Sequence, residues 1–352
     1  MGGRSSAVTI TALAALAALC AAGSACVPAP DRDREGATSP AAPERSDPSD
    51  AGDDSAAADG ADAEDASTPD GRLDDGRPPE EDPFWRVTTV GEVWATPTIR
   101  DGVAYVGGDG GRLYAVDVES GSLRFAAGPR GAPLRSTPAV DAERVVLADG
   151  AGEVVALSVD GRNLWRRPLE AVGSVALEAD GVFAATAGGD LVRLHAEDGR
   201  EIWRLPLVAG GPPTAGPRAA AGRVVIATAD GELHGVDAAG GDRRWRRSVG
   251  DGAAFRLAGG TVYASGGGFL WAIRGADGAE RWRLWLSDFL AAPPAILGDI
   301  VVAAAGDGQV WGVDAADGRE LWRRQLDGAL RAPPAMASDV AFLGAGDHLF
   351  VA

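Results

Sequence analysis

Residues 96–125 read TPTIRDGVAYVGGDGGRLYAVDVESGSLRF and contain four short segments that can form strands. Residues 96–99 predict an inner strand, 103–106 a second strand, 113–117 a third strand and 123–125 an outer strand. The glycine-rich stretch at 107–111 and the Ser-Gly pair at 120–121 supply the positive φ angles that tight hairpins need. The stretch therefore predicts one four-stranded antiparallel sheet.

The same unit recurs along the rest of the chain, and an aromatic residue ends each copy. Spacings between these aromatics are 40, 40, 38, 42, 37 and 40 residues. The residues are Trp85, Phe125, Trp165, Trp203, Trp245, Trp282 and Trp322. Periods near 40 residues with four short strands each are typical of propeller blades. Because the aromatic recurs once per unit, we expect it to pack between neighbouring blades rather than to stack on a ligand.

The last unit is one strand short. Residues 332–335, 340–343 and 349–352 predict three strands, and the outer strand with its aromatic is absent. Residues 84–87, FWRV, have the pattern of that missing strand and no unit of their own. We therefore predict an all-β, seven-bladed β-propeller with four-stranded antiparallel blades, in which this N-terminal strand closes the last blade and removes two open sheet edges.

The N-terminal residues predict export. Arg4 precedes an apolar stretch at 7–22, and small residues at 23–25 stand directly before Cys26. We interpret residues 1–25 as a signal peptide, because the apolar stretch is short for a membrane span; an uncleaved anchor helix is the alternative. Cys26 resembles the lipidated cysteine of bacterial lipoproteins, although Gly23 stands where that family prefers Leu, so ordinary cleavage after Ala25 remains open. We expect a lipid anchor on Cys26 and a location at the periplasm-facing outer membrane or the cell surface.

Residues 26–82 differ in composition from the rest of the chain. Between positions 31 and 82 there are 18 acidic residues and five arginines, a net charge of −13, with almost no large apolar side chain. Such a segment cannot bury enough apolar surface to fold, so we predict a disordered linker. It either tethers the folded domain at a distance from a membrane surface or has no role beyond solubility. The whole chain carries a net charge of −18, so the residues outside positions 31–82 carry −5, or −6 when Arg4 of the predicted signal peptide is left out. This acidic balance argues against nucleic acid as a partner.

The unit resembles a known repeat. Its third-strand Asp117, its Gly-containing turns and its terminal Trp resemble the repeat of the pyrroloquinoline quinone (PQQ) dehydrogenases. The outer-membrane assembly lipoprotein of the β-barrel assembly machine carries the same repeat. The resemblance covers about residues 84–352 and implies a PQQ-like propeller domain at 83–352.

The resemblance also bears on catalysis. It implies, for the dehydrogenases, eight blades, a vicinal disulfide, calcium and a carboxylate base. Residues 83–352 contain no cysteine, and no unit carries an inserted acidic loop. We therefore expect no enzyme activity, no catalytic residue, no PQQ and no metal. His195, His234 and His348 are expected to be ordinary repeat residues rather than a shared metal site, because they fall in different units.

Residues that break the repeat are the candidates for partner binding. Trp94, Arg135 and Arg331 occupy equivalent positions before inner strands, and Trp285 with Phe289 makes one connection between units unusually apolar. Exposed aromatic and Arg residues are common recognition anchors, although Trp94 and Trp285 could instead cap the core. We expect a monomeric protein-binding or scaffolding module of the cell envelope with a role in outer-membrane protein assembly. A PQQ-dependent dehydrogenase or small-molecule sensor is the alternative.

Overall fold

The computed structural model describes residues 7–11, 85–128, 132–207, 213–287, 290, 292–328, 330, 333–337, 340–345 and 348–351. The chain divides into two units, Pro28–Pro83 and the remainder, and only the second contains described residues. The predicted linker, Cys26, Phe289 and Arg331 lie outside the described residues.

All regular elements in these ranges are β-strands. In chain order they are β1 Ala7–Thr11, β2 Arg86–Val90, β3 Thr98–Arg100, β4 Val103–Gly108, β5 Arg112–Asp117, β6 Leu123–Ala127, β7 Ala139–Val140, β8 Arg144–Ala148, β9 Glu153–Ser158, β10 Asn163–Pro168, β11 Ala171–Glu178, β12 Gly181–Thr186, β13 Asp190–His195, β14 Glu201–Pro206, β15 Arg218–Ala220, β16 Arg223–Ala227, β17 Glu232–Asp237, β18 Arg243–Ser248, β19 Ala254–Ala258, β20 Thr261–Gly266, β21 Phe269–Arg274, β22 Glu280–Trp285, β23 Ala295–Leu297, β24 Ile300–Ala304, β25 Gln309–Asp314, β26 Glu320–Gln325, β27 Ala335–Ala337, β28 Val340–Ala345 and β29 His348–Val351. No helix in the described part of the chain is long and apolar enough to cross a membrane.

Successive strands form successive antiparallel sheets. The first to sixth sheets have four strands each, from β3–β6 to β23–β26, and the last sheet has the three strands β27–β29. The inner strands of neighbouring sheets lie side by side, as β7 does with β11 and β11 with β15. This is the arrangement of a β-propeller, whose inner strands surround a central channel. The prediction of an all-β propeller is confirmed, and the count of seven blades stays a prediction.

The core lies between the sheets. Most second and third strands are buried along most of their length, and every residue of β12 and β20 is buried. Val146 and Val154 of the second sheet share one apolar cluster with Val182 and Val192 of the third sheet. Strands that are covered on both faces need no strict alternation of apolar and polar residues, which explains their continuous apolar runs.

The structure differs from the prediction at the closing strand. β2 pairs antiparallel with β1, with Val87 opposite Ile10 and Thr89 opposite Val8, and the last sheet keeps three described strands. An open strand edge needs hydrogen-bond partners, and the β-branched stretch Val8 to Ile10 is well suited to supply them. Because β1 lies within the predicted signal peptide, this pairing belongs to the chain with residues 1–25 attached. The signal peptide itself stays a prediction.

Candidate functional site

Two of the predicted partner-binding residues lie at the same end of the first sheet. This end carries the turns between second and third strands and the connections from one sheet to the next, and we call it the loop face. Trp94 lies in the connection before β3, and Arg135 lies in the connection between β6 and β7. The turn between β4 and β5 places Asp109 between them, so the structure brings Trp94 and Arg135 together.

Hydrogen bonds link these residues into one group, the rim cluster of Glu92, Trp94, Asp109 and Arg135. Arg135 Nε and Nη2 each lie 2.8 Å from a carboxylate oxygen of Asp109. Trp94 Nε1 donates to Glu92 Oε2 at 3.0 Å. The backbone N–H of Asp109 donates to the carbonyl of Glu92 at 2.8 Å, which joins the two halves of the cluster.

Arg135 is positioned by its two neighbours in sequence. Leu134 is fully buried, and its N–H donates to Gly108 O at 3.1 Å. Ser136 Oγ donates to Ala148 O at 2.6 Å in the second sheet. A residue between two such anchors has little backbone freedom, although the Arg135 side chain itself is 62% exposed.

The charges of the rim cluster stabilise one another. Hydrogen bonds from Arg135 are the main cause that lowers the pKa of Asp109, and the nearby Trp94 adds a smaller contribution. The same bonds raise the pKa of Arg135. A bidentate pair of this kind fixes the guanidinium plane. The ring of Trp94 remains 49% exposed beside it, so the cluster presents a flat apolar surface next to an oriented cation.

Trp285, the third described candidate, belongs to a different group at the end of β22. It is 57% exposed and stands opposite Phe269 in the fifth sheet. Arg283 lies 5.6 Å from the ring of Phe269 and 5.3 Å from the ring of Trp271, within the range of cation–π attraction. Phe269 and Trp271 are not among the residues predicted from the sequence. The presence of two aromatic residues in one third strand could have pointed to them. No described contact joins this group to the rim cluster.

The terminal aromatics make a repeated contact with the following sheet. Six of the seven rings cover a turn glycine that has a positive φ angle, at a distance that leaves no room for a Cβ atom. The pairs are Trp85 and Gly121, Phe125 and Gly161, Trp165 and Gly199, Trp203 and Gly241, Trp245 and Gly278, and Trp282 and Gly318. The indole N–H groups of the five tryptophans donate to carbonyls of that sheet, at Val118, Ala196, Ala238, Gly275 and Ala315. Trp322 packs on Gly312 of its own sheet.

Two further features of the described chain concern ligands. A cavity of about 470 Å³ opens on the loop face between the second and third sheets, lined in part by Arg167, Glu170, Glu201 and Arg204. Within the described ranges, no three His, Cys, Asp or Glu side chains are grouped closely enough to hold a metal ion. His234 is buried beside Thr228, with Nε2 and Oγ1 3.3 Å apart.

The sheets are antiparallel, four-stranded and follow one another in chain order, and the terminal aromatic of one sheet packs on a turn of the next. These features define a β-propeller of the PQQ-repeat class. The family comparison agrees with this class. The chain belongs to the family of the outer membrane protein assembly factor BamB, whose family model matches residues 80–174, 159–257 and 229–352. The resemblance inferred from the repeat is thereby confirmed.

Solved structures show the same fold. BamB from Moraxella catarrhalis aligns with a TM-score of 0.62 and 18% identity, over 76% of this chain and 86% of that chain. The quinohemoprotein alcohol dehydrogenase ADHIIG from Pseudomonas putida HK5 aligns with a TM-score of 0.55 and 14% identity, over 72% of this chain and 62% of that chain. A chain of the mitotic checkpoint complex aligns with a TM-score of 0.57 and 13% identity, over 71% of this chain and 83% of that chain.

A curated relative shares part of the sequence. The serine/threonine-protein kinase AfsK of Streptomyces coelicolor is 29% identical over 187 residues, which are 50% of this chain and 22% of the kinase. The chain thus spans about a fifth of the length of this relative.

Proposed function

We propose that the protein is a protein-binding propeller of the cell envelope that takes part in outer-membrane protein assembly, without enzyme activity of its own. The observation that carries this proposal is the rim cluster, in which half-exposed Trp94 stands beside an Arg135 oriented by Asp109. Trp and Arg are the residues most enriched at binding hot spots. Membership of the BamB family supports an assembly role.

The test is site-specific photo-crosslinking with the full chain in its native envelope. A photoreactive amino acid replaces Trp94 in one variant and Leu123 in another, because both side chains are 49% exposed while Leu123 lies on an outer strand. We expect a discrete cross-linked protein at position 94, none at 123, and loss of that product when Arg135→Ala is added. Mass spectrometry then identifies it, and a component of the outer-membrane assembly machinery supports the proposal. The same products at both positions, or none at 94, would contradict it.

We also propose that a lipid on Cys26 holds the protein at the membrane. The support is the small-residue stretch before Cys26, and residues 83–352 offer no cysteine as an alternative attachment point. Cys26→Ser should move the protein from the membrane fraction to the soluble fraction. Cys20→Ser is the matched control, because it removes the other cysteine of the chain and should leave the distribution unchanged. Equal membrane retention of both variants would exclude lipidation at Cys26.

A quinone dehydrogenase is the competing proposal within the same fold class. The cysteine-free domain lacks the vicinal disulfide that the resemblance implies for those enzymes. Titration of the purified chain with PQQ and calcium distinguishes the two. Saturable quinone binding would count against a purely protein-binding role.

A further inference from the structure

The cavity on the loop face between the second and third sheets contains an arginine without a partner. Trp165 of β10 packs on Gly199 of the third sheet, and Arg167 follows two residues later with the strand register unbroken. Because side chains alternate between the two faces of a strand, Arg167 is directed toward the third sheet, as Trp165 is. It lines the cavity there. Within the described ranges, its guanidinium makes no hydrogen bond and no ion pair.

The equivalent arginine of the fourth sheet has a partner. Arg247 stands two residues after Trp245 and forms an ion pair with Glu280 of the fifth sheet. Glu201 of the third sheet is the counterpart of Glu280, since each stands two residues before the terminal Trp of its own sheet. The repeat would therefore pair Arg167 with Glu201.

A second arginine prevents this pairing. Arg204 Nε lies 3.1 Å from Glu201 Oε1, and Arg204 Nη2 lies 2.9 Å from Oε2. In the fifth sheet, the arginine equivalent to Arg204 lies 5.3 Å from the ring of Trp271. The third sheet has Val192 in place of Trp271, so Arg204 has no ring to stack on. Because Arg204 binds both oxygens of Glu201, Arg167 is left without its carboxylate and the cavity stays open between them.

The cavity also contains a carboxylate on a strained backbone. Glu170 lines it with a φ of 54°, in the left-handed region that disfavours residues with a Cβ atom. The fourth sheet has Gly250 in this place, with a φ of 92°. The two positions are equivalent, because Leu169 and Val249 directly before them each donate to a turn glycine of their own sheet. The other described non-glycine residues with a positive φ lie in hairpin turns between first and second strands: Asp101, Ala179 and Ala221.

Backbone contacts hold Glu170 in this conformation. Ala171 N donates to Gly152 O at 2.9 Å, and Ala187 N of the third sheet donates to Glu170 O at 2.9 Å. A Cβ atom on Gly152 would lie 2.9 Å from Glu170 Cα, so the two segments are in close contact. In the part of the chain that the structure describes, the Glu170 carboxylate has no hydrogen bond and no ion pair. A strained residue with a fixed backbone and a free carboxylate points to a role in binding.

We infer that this cavity binds a small zwitterion, an amino acid or a short peptide with free termini. Its carboxylate pairs with Arg167 and its ammonium group pairs with Glu170. A guanidinium holds a carboxylate with two parallel N–H···O bonds, and an ammonium group donates to a carboxylate in the same charge-assisted way. A ligand with one charge only would satisfy one of these two groups and leave the other unpaired.

The remaining lining of the cavity agrees with such a ligand. Its volume of about 470 Å³ is in the range of small-molecule sites. Ala151 and Pro168 line it as well and offer apolar contacts, which favour an apolar side chain on the ligand. None of the lining residues belongs to the rim cluster, and the inference does not depend on the proposed function.

The experiment is calorimetric titration of the full chain at low ionic strength, with leucine and leucyl-leucine as probes. Each probe is compared with its N-acetyl analogue, which lacks the ammonium group, and with its C-terminal amide, which lacks the carboxylate. We expect saturable binding of at least one zwitterion. Both of its analogues should bind about tenfold more weakly or worse, since each loses a charge-assisted interaction.

Two variants assign the two charges. Arg167→Gln should abolish the preference for the zwitterion over the amide and keep the preference over the N-acetyl analogue. Glu170→Gln should do the reverse, whereas a purely structural effect would weaken all probes alike. Arg162→Gln is the matched control, because the Arg162 side chain is 80% exposed in a turn of the second sheet and its loss should change affinity by less than about twofold.

Glu170→Gly separates binding from stability. It should melt at the same temperature as the unaltered chain or at a higher one, because glycine accepts this backbone conformation, yet bind the zwitterion about tenfold more weakly. Ala179→Gly makes the same kind of backbone change in a hairpin turn and should leave affinity unchanged.

Three outcomes would overturn the inference: no saturable binding of leucine or leucyl-leucine, equal weakening of every probe by both glutamine variants, or a lower melting temperature of Glu170→Gly. Cross-linking at position 94 should be the same in Arg167→Gln as in the unaltered chain. A failure of the cavity site is therefore distinguishable from a failure of the proposed protein-binding surface.

Discussion

The indole Nε1 of Trp85 donates to the carbonyl oxygen of Val118 at 2.7 Å, and its ring covers Gly121 in the same turn. Trp245 makes the same pair of contacts with Gly275 and Gly278 of the fifth sheet. Toward the first sheet, Trp85 thus takes the place that the terminal aromatic of a preceding blade would take. Its strand nevertheless pairs with β1, so the side chain fits the closing position while the backbone pairing does not.

Removal of residues 84–87 should therefore strongly destabilise the propeller, because it deletes Trp85 and leaves the apolar surface around Val106 and Tyr114 uncovered. Loss of the Trp side chain alone typically costs about 3–5 kcal/mol. Removal of residues 27–80 should leave the free energy of unfolding unchanged, since that segment is predicted to be a disordered linker. Urea denaturation followed by Trp fluorescence measures both. Equal midpoints for the two deletions would contradict the closing role of residues 84–87.

The Trp-to-carbonyl bond can be separated from the packing of the ring at Trp245, which is buried. Trp245→Phe should lower the free energy of unfolding by about 1–3 kcal/mol, because the carbonyl of Gly275 loses its donor. Trp245→Ala should cost more, about 3–5 kcal/mol, because the contact with Gly278 is also lost. Phe125 already fills this role in the first sheet, so a phenylalanine fits the space. If the Phe variant were as unstable as the Ala variant, the hydrogen bond rather than the ring would be the main contribution.

The repeating sheets could be predicted from the sequence, because the strand and turn signals are local and recur. Residues 103–106 and 113–117 were assigned to strands, and the structure has β4 Val103–Gly108 and β5 Arg112–Asp117 there. The partner of β2 could not be predicted in the same way. Residues 7–11 have an apolar, β-branched pattern that suits both a signal peptide and a strand, and only the presence of an open edge decides between them.

The sequence also predicted half of the rim cluster. Trp94 and Arg135 were identified because they depart from the repeat, whereas Asp109 stands in a glycine-rich turn where an acidic residue is ordinary. Its contact with Arg135 depends on the way in which the turn between β4 and β5 meets the connection between β6 and β7 at the loop face.

Turn glycines beneath the aromatic rings should be less replaceable than other glycines of the same conformation. Gly278 has a φ of 71°, and a Cβ atom there would lie 2.7 Å from the Trp245 ring. Gly252 has a φ of 73° with no atom within 4 Å of that position, so it is a matched control. Gly252→Ala should cost about 1–2 kcal/mol for the left-handed backbone alone. Gly278→Ala should cost about 1–3 kcal/mol more, because the ring must shift. Equal losses in thermal unfolding would show that the ring contact is not tight.

The stability of the propeller should decrease in mild acid because of His234. This side chain is buried, and burial is the main cause that lowers its pKa. Below the ordinary histidine pKa of about 6.5, the unfolded chain binds a proton that the folded chain does not bind. The free energy of unfolding should therefore fall as the pH drops from about 6.5 toward the lowered pKa, by up to about 1.4 kcal/mol per pH unit.

Urea midpoints measured between about pH 7.5 and 5.5 should show this slope in the unaltered chain and a smaller slope in His234→Gln. His195→Gln is the matched control, because the side chain of His195 is 23% exposed and lies 3.4 Å from Asp198. An unchanged slope in His234→Gln would assign the acid sensitivity to other groups.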